Sequence, residues 1–95
     1  YWLREMCLKM LTYMAGIYRR NDDIPHALAY CEKVLSIDPC YERAHQEMMR
    51  IFHLARRRDA LERQYRLCTQ ALERYDSRAP APAPQALYQS LIDTL

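Results

Sequence analysis

An apolar pattern that repeats after 34 positions constrains this chain more than any other feature. Met14, Ile17 and Tyr18 recur as Met48, Ile51 and Phe52, and at the same offset Cys31 meets Tyr65 and Val34 meets Cys68. Few residues are identical, but the apolar character is kept. Between the two copies the run "VLSIDPCYERAH" stops and restarts. Pro39 has no amide hydrogen to give a continuing helix, and it disfavours the helical region for Asp38, so the chain must turn there. Helical runs that break and resume with this period describe antiparallel pairs stacked on a shared core.

The remaining segments read as helices of the same stack. Ile24, Ala27, Leu28, Cys31, Val34 and Leu35 form one stripe, with Asp22 or Asp23 placed to cap it and Pro25 in the first turn, where proline is tolerated. A third stripe holds Ala44, Met48, Ile51, Phe52 and Ala55. A fourth holds Leu61, Tyr65, Cys68, Leu72 and Tyr75, and a fifth Leu87, Tyr88, Leu91, Ile92 and Leu95. "SRAPAPAP" between the last two predicts an extended, polyproline-like strap. No strand pattern competes. The expected fold is all-α: a tetratricopeptide-like stack of antiparallel helices, two helix-turn-helix repeats plus a C-terminal closing helix, forming a single domain over residues 1–95.

The first helix, Trp2 to Arg20, is apolar over most of its circumference, because Leu8, Tyr13 and Ala15 join a broad face that includes Met6, Met10 and Met14. A helix of this kind is normally covered on two sides. Either the second, third and fifth helices supply all the cover, or Met6, Met10 and Tyr13 lie at a contact with a second chain or with another part of a longer protein. A start without methionine, inside a helical pattern, predicts a fragment of such a protein.

Composition narrows the function classes. A net charge of +2 over 95 residues does not by itself mark a nucleic-acid binder. No apolar run approaches the roughly 18 residues that suggest a membrane span, and the opening "YWLREMCLKM" is not a signal peptide, so a cytoplasmic location is expected. The four cysteines form no C-x-x-C pair, and the three histidines are not spaced with them as zinc ligands, so neither metal nor cofactor is expected. Cys31 and Cys68 read as small buried hydrophobes. No histidine is placed beside a nucleophile and a carboxylate, and no glycine loop cradles phosphate, so catalysis is not expected. Gly16 stands alone in mid-helix, where helix packing or an open groove floor would account for it.

Two basic surfaces remain. The first helix of each repeat leaves a stripe away from its apolar contacts: Lys9, Thr12, Gly16 and Arg19 in one, Arg43, Gln46, Arg50 and His53 in the other. Helices in this position usually line the groove of such a stack, and with no carboxylate in either stripe the groove suits an acidic peptide, the alternative being a solvated face. The second surface is Arg56, Arg57 and Arg58 at the turn into the fourth helix, either a solvated turn or a contact for DNA phosphates.

The order "YERAHQEMMRIF", "ARRRDALERQYRLCTQAL" and "PAPQALYQSLI" resembles the bacterial transcriptional activator domain, the tetratricopeptide-like module of SARP-type regulators. The resemblance spans nearly the whole chain. It is most specific at Glu42, Ala44, His45 and Met49, at Leu61, Gln64, Tyr65 and Cys68, and at the proline-rich approach to "ALY". The chain departs from it in having "ERYDSRAPAPAP" where a glycine commonly precedes the prolines. The resemblance implies a regulatory, non-catalytic interaction or self-association module of a cytoplasmic transcription activator. Its partners would be the transcription machinery or another domain of the parent, and DNA would be read by a separate domain.

Overall fold

The expected break at Pro39 separates two helices that end and begin within five residues of each other. The structure, a computed structural model, describes residues 2–76 and 82–95. It consists of α1 (Trp2–Arg20), α2 (Ile24–Ile37), α3 (Glu42–Leu54), α4 (Arg58–Ala71) and α5 (Pro82–Asp93), with α4 widening into a π turn over Leu72–Asp76. Asp38 takes up extended backbone and its carboxylate accepts from the amide of Cys40 at 3.0 Å, which closes the turn before α3.

The 34-residue period is visible in the backbone itself. Shifting α2 by this offset gives the bounds of α4, and α1 and α3 end at equivalent residues, Arg20 and Leu54. The two intra-repeat turns share one geometry: Asp22 and Arg56 have φ of 61° and 57°, and the amides of Asp23 and Arg57 each donate at 2.8 Å to Tyr18 and Phe52. A residue with positive φ followed by a bond reaching back five positions is the Schellman ending, which satisfies carbonyls the helix leaves bare. Only the cap differs. Asp23 accepts from the amide of His26 at 3.3 Å, whereas Arg57 makes no side-chain cap bond.

The core lies where α1, α2 and α3 meet and continues between α3 and α4. Ala15, Ala27, Cys31, Met48 and Ile51 form one cluster and Leu8, Val34 and Ala44 another, while Met49, Leu61 and Cys68 are also buried. Each fully buried large aliphatic side chain contributes about 1.5–3 kcal/mol of apolar transfer. Burial pushes the Cys31 thiol up to about 12 and that of Cys68 to about 11, as apolar surroundings require.

Two expectations are corrected. The strap was expected to run to Pro84, but α5 already begins at Pro82 and Pro84 is buried in its first turn, where a missing amide costs nothing. The rest of that stretch, residues 77–81, and the side chain of Tyr75 lie outside the described residues. Second, α1 packs on α2 and α3 but not on α5, which instead contacts α3 and α4. Its inward face is Leu8, Thr12 and Ala15, and its outward face keeps Trp2, Leu3, Met6, Met10 and Tyr13 exposed. The molecule is a slab of 38 × 31 × 17 Å, two helix layers thick.

Candidate functional site

The repeat places Lys9 and Arg43 at equivalent positions on α1 and α3, and the two helices leave a cavity of about 320 Å³ between their outer faces. Lys9, Thr12, Arg43, Gln46 and Arg50 all border it, as the sequence led us to expect. Thr12 forms floor more than contact, because it is buried and its hydroxyl donates to the Leu8 carbonyl at 2.8 Å. Arg20 and Tyr13 add a further cation and an aromatic edge.

Neither stripe holds a carboxylate, but the groove they border does. Glu47 enters it, buried at 8% exposure, where Arg19 reaches across from α1 to bond it at 2.8 Å and Arg50 approaches at 3.3 Å. Gly16 lies beneath it without being needed for space: a Cβ there would stand 3.6 Å from the Glu47 carboxylate and 3.5 Å from the Arg20 guanidinium, ordinary contact distances. The glycine is therefore a groove floor under a carboxylate, not a point where helices would otherwise collide. Glu47 engages Arg19 and Arg50, leaving Lys9, Arg20 and Arg43 without an ion pair among the described residues. The groove stays net positive.

His53 does not belong to this site. Its Nε2 donates to the Thr94 hydroxyl at 2.6 Å, and that hydroxyl donates in turn to the Leu91 carbonyl, so the ring ties α3 to the end of α5. Arg19 and His53 occupy equivalent repeat positions, and each fastens its helix to the next in the layer.

Met6, Met10 and Tyr13 lie on one outward side of α1 with 43%, 63% and 66% of their surface exposed, flanked by Trp2 and Leu3. Tyr13 also borders the groove, so the apolar face and the basic one share an edge. At the opposite end of the repeat, Arg56 and Arg57 are exposed without an ion pair among the described residues, while Arg58 pairs with Glu62 at 3.3 Å.

The residues that carry the resemblance turn out to be architectural. His45 Nε2 donates to the Pro39 carbonyl at 2.8 Å and its Nδ1 accepts from Gln64 at 2.8 Å, which locks the α2–α3 turn to α4. Desolvation holds the imidazole below its ordinary value, and the Pro39 bond opposes this only in part. Tyr65 stacks on Tyr88 with ring centroids 4.2 Å apart, which seats α5. Sequence reasoning missed Glu47 and Arg20. Glu47 stands three positions before Arg50, a helical neighbour, and that spacing was the available signal.

Among the described residues no group of histidine, cysteine and acidic side chains is placed to hold a metal, and no helix is long and apolar enough to cross a membrane. Neither a curated protein nor a solved structure matches the chain. The sequence profile of the bacterial transcriptional activator domain matches residues 1–92. Nearly the whole helical stack is thus accounted for, and the chain belongs to the bacterial transcriptional activator domain family.

Proposed function

We propose that this transcription-activator domain is a non-catalytic protein-interaction module, part of a longer cytoplasmic regulator whose DNA reader is a separate domain. The groove between α1 and α3 receives an acidic segment of a protein partner, either transcription machinery or another domain of the parent. The observation that supports this is the convergence of Lys9, Arg20 and Arg43 on one cavity whose single buried carboxylate is already paired. A confined cleft of one sign attracts and orients a segment of the other. The outward face of α1 serves self-association or packing within the parent, since Trp2, Leu3, Met6, Met10 and Tyr13 make a contiguous apolar surface.

The test is titration with a poly-glutamate peptide. Lys9→Glu with Arg43→Glu is expected to weaken binding at least about tenfold, because attraction becomes repulsion. Unchanged affinity would remove the groove from the proposal. The exposed Arg56 and Arg57 support a second reading, contact with DNA phosphates. Replacing Arg56, Arg57 and Arg58 with alanine would then weaken DNA binding equally for all sequences and flatten its salt dependence.

A further inference from the structure

On the face away from the basic groove, α2 and α4 make no direct backbone contact, because α3 lies beneath them both. They enclose a cleft of about 610 Å³. Its apolar surface comes from Leu35, Met48 and Phe52, and from Leu67 on α4, which is 45% exposed although wholly aliphatic. The polar groups at the base already have partners: His45 and Gln64 bond each other, and His45 bonds Pro39. No buried side-chain nitrogen or oxygen among the described residues lacks a hydrogen bond. The base therefore offers apolar contact and no unmet polar demand.

Charge is confined to the walls, and it is ordered. Arg63, Leu67, Ala71 and Arg74 follow one another by four, four and three positions, so they form a single line along α4 and its π turn. The two arginines are eleven residues apart, so their backbone positions lie about 16 Å apart along the axis, with Leu67 and Ala71 between them in the row. Neither has an ion pair among the described residues, whereas Arg58 on the same helix does. Glu32 stands on the facing wall.

We propose that the cleft between α2 and α4 binds an amphipathic helix of a partner protein, with two carboxylates eleven residues apart that meet Arg63 and Arg74 and aliphatic side chains between them that fill the space over Leu67, Met48 and Phe52. A helix is favoured over an extended segment because it lies alongside α4 at ordinary packing distance and matches its row of side chains over three turns. A cation on its opposite edge meets Glu32. This site is separate from the basic groove and does not depend on that reading.

The experiment uses a fluorescein-labelled helical peptide of alanine and lysine with glutamates eleven positions apart and leucines at the fourth, seventh and eighth positions after the first. Fluorescence anisotropy with the full chain should give a dissociation constant on the order of 10 μM. Arg63→Glu with Arg74→Glu should weaken it at least about tenfold, and a peptide with both glutamates changed to lysine should recover binding to that variant. All three residues substituted here, including Leu67→Ser as a further loss variant, are exposed, so the fold tolerates them. Three results would each overturn the proposal: no binding by the unaltered chain, equal binding by the Arg63→Glu, Arg74→Glu variant, or loss of binding with Lys9→Glu and Arg43→Glu instead. The last would assign the peptide to the basic groove. Self-association of the chain that Leu67→Ser abolishes would assign the cleft to a second copy, and overturn it likewise.

Discussion

Arg56 holds a left-handed backbone that side chains with a Cβ resist, at the position where helices most often place glycine. Replacing it with glycine is expected to stabilise the domain by about 1 kcal/mol, a rise in Tm of roughly 4–8 °C for a domain of this size, read by thermal unfolding. His45 carries a pH dependence of definite sign. Its folded-state value lies below the ordinary 6.5, so the unfolded chain takes up the proton first as pH falls. The contribution is fully present above that value and is lost on acidification below it. Urea unfolding from about pH 7 to pH 5 should show stability falling, and a shallower fall in His45→Gln. At this scale the sequence was only partly legible. His45 and Gln64 stood out through the family pattern, but their mutual bond did not, because nineteen residues separate them. Glu47 escaped because it lies one step off the stripe of Arg43, Gln46 and Arg50, and only the crossing of α1 brings Arg19 to it.

Helix by helix, legibility followed the contrast between faces. α2 and α3 bury the stripes read from their periodicity, with Ala27, Cys31 and Val34 inward on one and Ala44, Met48 and Ile51 on the other. α1 gave no such contrast. Its buried face includes Thr12 and Gly16, while Leu3 and Met10 point outward, so hydrophobicity alone did not say which side packs inward. The prolines of α5 read as a strap because proline breaks helices in their interiors, yet in a first turn they are compatible with one. Gly16 offers a direct check on the groove floor. Since a methyl there meets its neighbours at 3.5 Å or more, Gly16→Ala should raise stability by about 0.5–1 kcal/mol in chemical denaturation. A loss of that size would mean that the floor tolerates no added carbon.

As a whole the molecule is a layered slab in which α3 is the one helix that touches all the others. The repeat period in the sequence foretold this stacking, but not which faces would be left open, because that depends on how neighbouring helices cross. Within the described stack α1 packs on α2 and α3 only, and its open apolar face motivates the self-association proposed above. Sedimentation at micromolar concentration should show dimers that Met10→Glu weakens, while the groove, which Met10 does not border, stays intact. A monomer in both forms would leave that face to the parent protein. The central place of α3 also bears on how the domain opens. Since α1 and α5 do not touch, either can detach without disturbing the other, and their release need not be concerted. Amide hydrogens of α3 should then exchange with solvent last, those of α5 among the first once the His53 tie to Thr94 lets go, and the domain should come apart from its edges toward its middle helix.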